Sequence, residues 1–371
     1  MINSKLSDFG ENSLVRRIKN IVDGHGGDKL ILDDAAPVQL QGYPGMLSVT
    51  TDPCPLPNLV QRINLGGFYH AGWLTVVKSL SDLAAAGSCP IGVTLAVEFS
   101  ADMKIDEFDN FFKGASDCAF QHGTSLRAGN IKETMGKPHA VSFAIGASKT
   151  KNVLCRGKAN PGELLFVIDQ RDLGGFWAGV ASHENKEQCI NLPRSFLDEA
   201  QNKALTPTAK VEAGQIMLEV APPSFVMDNS DGLLASADEL ARVSACDVIL
   251  NMSSSCFPDY VLAIARATSC DPRIWALGWG TCQLLCASQR NKANIASNAL
   301  KDAGTDVVFV GEVKEGNGNV FIRIDDIDYS IGDSALLRGE QFHPDSFWKH
   351  GITKYVDIMM SCSLEEICDQ K

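Results

Sequence analysis

Apolar residues recur along the chain at two spacings. Between Ser13 and Val22, Leu14, Ile18, Ile21 and Val22 share one helical face while Arg16, Arg17 and Lys19 take the other, which predicts an amphipathic helix. A longer helical pattern runs from about Gly67 to Ala86, carrying Trp73, Val76, Val77, Leu80 and Leu83. It stops at Gly87, where glycine suits a left-handed C-cap. Asp106 to Gln121 reads as another helix. Shorter apolar runs bounded by turn residues predict strands at Lys29–Leu32, Gly45–Thr51, Ile91–Phe99, Ser125–Ala128 and Ala140–Gly146.

The turn-rich stretch Cys155 to Gly162 separates two apolar strands, the second being Leu164–Ile168, and predicts a domain boundary. Beyond it, helices are expected at Gly174–Ala181, Thr208–Glu219, Leu233–Ser244 and Pro258–Ala267. Strands are expected at Phe225–Asp228, Asp247–Asn251, Thr281–Ala287, Val307–Val313 and Asn319–Ile324. Periodicity is weak from Pro344 to Lys371. The pattern is α/β with mixed sheets, and 371 residues suit two domains. Their expected extents are 1–152 and 153–342, with a C-terminal tail at 343–371.

Composition narrows the function classes. Hydrophobic residues make up 45% and charged residues 21%, a globular balance. A net charge of −12 disfavours nucleic acid, whose binders displace counterions with clustered Lys and Arg. No stretch approaches about 18 uninterrupted apolar residues, and Met1 to Arg17 holds no run of signal length, so no membrane partner and a cytoplasmic location are expected. The twelve cysteines contain no Cys-x-x-Cys pair, which makes cysteine-held zinc improbable and free thiols the expectation.

Acidic motifs stand where apolar segments end: Asp33-Asp34, Thr50-Thr51-Asp52, Ser81-Asp82-Leu83, Ala128-Gly129-Asn130 and Asp228-Asn229-Ser230-Asp231-Gly232. Oxygen donors of this kind suit hard divalent cations, and Mg²⁺ is usually held by one or two carboxylates together with substrate phosphates. Any single Asp at a strand end is more often a cap or turn former. His25 and His122 lie beside glycine turns, where a lone histidine is more often structural or exposed than an acid or base.

Taken in order, these motifs resemble the thiamine-monophosphate kinase branch of the aminoimidazole-ribonucleotide synthetase-like superfamily. Asp8 to Ile18 is similar to that family's opening, Asp33-Asp34-Ala35-Ala36 to its first metal motif, and Thr50-Thr51-Asp52 to its second. Ser81 to Gly87, Pro207 to Gly214 and Asp228 to Leu234 resemble its later motifs. The resemblance implies two domains, the N-terminal sheet domains pairing in a homodimer, with ATP in a cleft and Mg²⁺ on aspartates. Carried onto this chain, it implies Asp33, Asp52, Asp82 and Asp231 as metal ligands, with Asp33, Asp82 and Asp231 catalytic. Asp34, Thr51, Gly129, Asn130, Lys132 and Ser230 are implied near nucleotide or phosphate.

The chain also departs from the family. Asn130 replaces an aspartate, so a carboxylate becomes a neutral amide. The late acidic motif appears here as Gly278 to Leu284 without its two acids, leaving Trp279 and Gln283 to line a pocket for a flatter or less cationic acceptor than thiamine monophosphate. The leading expectation is γ-phosphoryl transfer from ATP to a small molecule. The alternatives are a synthetase that activates a carbonyl or amide oxygen by phosphorylation for nitrogen attack, and a non-catalytic nucleotide-binding dimer.

Overall fold

The computed structural model of the chain describes residues 11–24, 45–168, 172–331, 352–361, 364 and 368–369. The strand expected at Lys29–Leu32, together with Asp33, Asp34 and His25, lies outside them. The chain divides into two compact units, the first comprising residues 1–84, 88–153 and 205–211, the second 85–87, 154–204 and 212–371. Among the described residues no helix is long and apolar enough to cross a membrane.

The first unit contains α1 (Glu11–Asp23), β1 (Leu47–Pro55), α2 (Leu59–Arg62), α3 (Phe68–Ala85), β2 (Cys89–Phe99), α4 (Ile105–Gln121), β3 (Leu126–Glu133) and β4 (His139–Ala147). The strands form one sheet in the order β1-β4-β2-β3. β4 runs antiparallel to both neighbours, and β2 and β3 are parallel. Helices α3 and α4 cross where neither has a side chain: a Cβ on Gly72 would lie 1.9 Å from the Phe111 carbonyl oxygen, and one on Gly114 would lie 1.8 Å from that of Tyr69. Helix α3 packs on the sheet through serines, Ser142 Oγ donating to the Thr75 carbonyl at 2.7 Å and meeting Ser79 Oγ at 2.5 Å. Phe99 on β2 stacks edge-on against Phe108 and Phe111 of α4, with centroids 6.0 and 5.3 Å apart. Each such pair adds about 0.5–1.5 kcal/mol beyond its buried area.

Among the described residues, the unit's own helices cover one face of this sheet. On the other, Val49 is 69% and Phe143 42% exposed, with Leu47 also exposed.

The second unit contains β5 (Leu164–Ile168), α5 (Gly175–Glu184), α6 (Arg194–Leu205), α7 (Val211–Val220), β6 (Phe225–Asp228), α8 (Leu233–Ser244), β7 (Asp247–Leu250), α9 (Asp259–Thr268), α10 (Pro272–Leu277), β8 (Leu284–Ser288), α11 (Arg290–Asp302), β9 (Val307–Lys314), β10 (Val320–Ile324), β11 (Ile327–Ile331), α12 (Ile352–Ser361) and β12 (Cys368–Asp369). Eight strands form one mixed sheet in the order β12-β11-β10-β7-β9-β5-β8-β6. Its inner strands β5 and β8 are almost wholly buried, as expected of a sheet with both faces covered.

Two expectations need correcting. The helix predicted from Thr208 begins at Val211. The residues before it, 207–210, take no regular structure, and unit-one side chains take their backbone groups: Trp73 Nε1 donates to the Pro207 carbonyl at 2.8 Å, and the Ala209 N–H donates to His122 Nε2 at 2.9 Å. The region expected as a tail carries α12, whose Tyr355 and Met359 are buried. Trp275 Nε1 anchors that helix by donating to the Met359 carbonyl at 2.8 Å.

Candidate active site

Strand alternation decides which unit-one residues meet. Along β1, side chains at successive positions leave opposite faces of the sheet. Ser48, Thr50, Asp52 and Cys54 face the helices, whereas Val49 and Thr51 share the open face. Asp82 sits on the last turn of α3, above the covered face, and Thr50 Oγ1 donates to its Oδ2. Asp52 is level with Ser142, Ser142 with Leu95 and Leu95 with Gly129, so Gly129 lies on the same face three strands across. Asn130 pairs with Ala96 and Lys132 with Glu98, which puts both exposed side chains on the open face. The structure thus groups Asp52, Asp82 and Gly129 on one face and Thr51, Asn130 and Lys132 on the other. Thr50, next to the predicted Thr51, joins the carboxylates. Period-two alternation from Asp52 was the signal that singles it out.

His122 ends α4 as its C-cap. Its Nδ1 lies 2.7 Å from the Cys118 carbonyl and its Nε2 accepts from Ala209 N–H. Both ring nitrogens are engaged, which fixes the tautomer with the proton on Nδ1. Burial pushes its pKa below the ordinary value, and the Lys210 charge acts in the same direction. This histidine is structural.

In the second unit the motif Asp228–Gly232 is the loop joining β6 to α8. Long-range backbone bonds fix its course. Asn229 N–H donates to the Gln283 carbonyl at 2.8 Å and Gly280 N–H to the Ser230 carbonyl at 3.1 Å. Thr281 Oγ1 donates to the Asn229 carbonyl at 3.3 Å, and Ser236 Oγ to that of Asp228 at 3.1 Å. Gly232 turns the chain with φ of +104°, and a Cβ there would meet the Leu277 carbonyl oxygen at 2.5 Å. The result leaves Asp231 exposed and Ser230 half-buried at the loop's outer edge, while Asp228 and Asn229 are buried.

Trp279 and Gln283 follow on the neighbouring segment. Gln283 is buried, and its Nε2 donates to Asp172 Oδ1 at 2.9 Å. Trp279 belongs to an aromatic group with Phe176, Trp177 and Tyr355, at centroid separations of 5.7, 5.5 and 5.4 Å. The Trp279 N–H donates to the Tyr355 hydroxyl at 3.3 Å. Burial raises the Tyr355 pKa and the Asp231 charge raises it further, so the hydroxyl keeps its proton and lies within electrostatic reach of that carboxylate. Tyr355 and Asp172 were not anticipated from sequence. Tyr355 lies in a weakly periodic segment and Asp172 follows no motif.

Among the described residues no three His, Cys, Asp or Glu side chains gather into a metal cage. The oxygen donors on the covered face of the first unit, the bonded Thr50–Asp82 pair and Asp52 two residues along β1, are of the type that fits Mg²⁺ completing its shell with phosphate oxygens and water.

The sequence model for "AIR synthase related protein, N-terminal domain" matches residues 32–148. Thiamine-monophosphate kinase from Aquifex aeolicus is 25% identical over 323 residues, covering 86% of this chain and 95% of that protein. The chain thus carries an AIR synthase-related N-terminal domain and is similar to thiamine-monophosphate kinases over most of its length. The structure of AaThiL complexed with AMPPCP and TMP has the family's fold with a TM-score of 0.62 at 24% identity, covering 87% of this chain and 97% of that one. The Escherichia coli hydrogenase maturation protein HypE shares the fold at a TM-score of 0.68 and 17% identity, covering 91% and 99%.

Proposed function

We propose that this chain transfers the γ-phosphoryl group of ATP to a small-molecule acceptor, with Mg²⁺ held on its aspartates. The kinase-like, ATP-dependent character follows from its thiamine-monophosphate kinase relatives and from the nucleotide analogue in AaThiL. The observation that carries the reading to this chain is the Thr50 hydroxyl bonded to Asp82, with Asp52 on the same face of the sheet. Carboxylate and hydroxyl oxygens on one face are the donor types that hard divalent cations take together with phosphate oxygens, which supports a cation-bound role.

Bound Mg²⁺ would supply neutralisation of the polyphosphate charge. Asp52 and Asp82 would hold it in the first unit, Thr50 orients the Asp82 carboxylate by donating to one oxygen, and Asp33 and Asp34 would supply further oxygen donors. In the second unit, taken by itself, Asp231 would be a carboxylate ligand for Mg²⁺ and Ser230 would offer a hydroxyl to phosphate. Gly129 gives backbone access on the covered face. Phosphoryl transfer needs positioning and charge stabilisation more than protein covalent chemistry, and this set of side chains is suited to both. Trp279 and Gln283 belong to the acceptor side.

The exposed apolar residues Leu47, Val49 and Phe143 support a homodimer formed through the open sheet face, where Thr51, Asn130 and Lys132 would lie at or near the partner. Replacing Val49 and Phe143 together by lysine should convert the dimer to monomer in sedimentation velocity, with at least a hundredfold loss of association.

Phosphorus NMR of ATP, Mg²⁺ and the purified chain with a panel of acceptors tests the reaction. A phosphorylated acceptor is expected, and Asp82→Ala should slow its appearance at least a hundredfold, the order lost when a major charge-stabilising group is removed. ADP and free phosphate formed only alongside an added amine would replace this reading with the synthetase. Nucleotide binding without turnover would replace it with the non-catalytic dimer.

A further inference from the structure

The chain leaves β7 at Leu250 and makes one short turn over Ser254–Cys256 before α9. Cys256 Sγ ties that turn to the sheet by donating to the Phe309 carbonyl at 3.7 Å. Helix α9 stops at Ser269, whose φ of +57° folds the chain back so that Cys270 N–H reaches the Ala265 carbonyl at 2.9 Å, and α10 starts at Pro272. Between the turn and the α9–α10 connection lies an open cavity of about 500 Å³. Small-molecule sites span about 300–1,000 Å³. None of Asp228 to Gly232, Trp279 or Gln283 lines it.

The lining has two parts. Met252, Phe257 and Leu262 make it apolar on one part, and Met252 and Phe257 are 3% and 6% exposed, held by the core behind them. The α9–α10 connection supplies Cys270, Asp271 and Arg273. Asp271 caps α10 by accepting from Arg273 N–H at 2.9 Å, and it also takes that residue's Nε at 3.0 Å and Nη2 at 2.6 Å. This two-pronged grip fixes the guanidinium plane. A guanidinium has five N–H donors, of which the grip uses two. Among the described residues the rest have no hydrogen-bond partner, and no other charged side chain lines the cavity. Both Asp271 oxygens are engaged with Arg273, so neither is left to draw a cation.

We propose that this cavity is a second ligand site, apart from the phosphotransfer residues, for a small monocarboxylate with an apolar body. The carboxylate takes the N–H edge of Arg273 that Asp271 leaves, and the body lies against Met252, Phe257 and Leu262. The planar fork of a guanidinium matches the two oxygens of a carboxylate. An amide of the same size brings one acceptor and no charge, and an ammonium meets a like charge. Asp271 compensates part of the arginine's charge, which suits one incoming negative charge better than two. Holding the guanidinium in place beforehand lowers the ordering cost of binding. None of this depends on the phosphotransfer reading.

Phenylacetate, phenylacetamide and phenethylammonium share one apolar body and differ in the head group. Titrated into the intact chain by ligand-observed NMR, phenylacetate is expected to bind at least about tenfold tighter than the other two, the order that one charge-assisted hydrogen bond supplies. Arg273→Gln should remove that preference, whereas Phe257→Ala should weaken all three and keep their order. Half-buried Cys270 reports the location. Saturating phenylacetate should slow its alkylation by N-ethylmaleimide about fivefold in peptide-resolved mass spectrometry, while exposed Cys155 reacts as before. Equal affinities, a preference for the amide or the ammonium, no binding by any probe, a preference unchanged in Arg273→Gln, or binding without protection of Cys270 would each overturn the proposal. The ranking and the protection are read on the unaltered chain, so they decide the matter even where a variant does not fold. ATP and Mg²⁺ added to the same samples should leave the phenylacetate affinity unchanged, and displacement by ATP would overturn the separate site. Loss of the phosphotransfer reading leaves this ranking untouched.

Discussion

In the first unit Asp52 and Asp82 ride on a strand and a helix, whereas in the second Asp228 to Gly232 follow an irregular course set by residues about fifty positions away. The local rule of alternation places Asp52 and Thr50, because a strand has only two faces and α3 covers one of them. Nothing local places Asn229 or Ser230. Their backbone groups bond to Gln283, Thr281 and Gly280, and their turn depends on a glycine beneath the Leu277 carbonyl. The same contrast recurs within the first unit, where residues 207–210, between α6 and α7, form no regular element and Trp73 and His122 hold their backbone. Regular elements carry their functional groups by periodicity, while loops carry theirs through distant partners and are correspondingly easy to break by a single change.

Gly232→Ala attacks the loop where it is least tolerant. A side chain at φ of +104° against a backbone oxygen 2.5 Å away should cost about 2–3 kcal/mol in urea denaturation, and acceptor turnover should fall with it. A stability loss under about 0.5 kcal/mol would mean that the loop adapts and that the contrast drawn here is too sharp. Thr50→Val and Thr51→Val then test alternation in the first unit. Thr50→Val removes the donor to Asp82 and should reduce turnover roughly tenfold, about 1.4 kcal/mol, whereas Thr51→Val on the open face should leave turnover per assembled dimer within about threefold. Equal effects would dissolve the distinction between the two faces.

The smallest effect is the pH dependence of the 205–211 contact. His122 has a folded-state pKa below the 6.5 of an unperturbed histidine, chiefly through burial. Between those two values the unfolded chain holds a proton that the folded chain does not. Stability therefore rises with pH across that window and is lost as pH falls below about 6.5, with a slope of at most about 1.4 kcal/mol per pH unit. His122→Gln should flatten the curve of unfolding free energy from pH 7 to 5. Some slope should remain, because burial lowers the His70 pKa as well.

Much of this was legible in the sequence. The helix ending at Gly87, where φ is +67°, and the glycine-flanked acidic motifs are local signals. So are the strands at Phe225–Asp228 and Leu164–Ile168, because a continuous apolar run needs no knowledge of its neighbours. Helix α6 was not legible, since it buries little besides Ala200 and Ala204 and so leaves almost no apolar stripe. Helix α11 likewise turns mainly Ala293, Ala296 and Leu300 inward. Helix α12 gave no usable pattern, and its contribution, Tyr355 against Trp279, is defined entirely by what it packs on.

The sequence by itself determined the fold class, the family resemblance and the residue types of the site, because motif order and hydrophobic period are properties of the chain alone. Tertiary structure decided that Thr50 and not Thr51 meets Asp82, that Asn130 lies on the face away from Asp52, and that Asn229 is buried with its amide unspent. Those facts depend on which face a helix covers and which distant carbonyl receives a given N–H, and pairing across a fold is a relation that no single stretch of sequence contains.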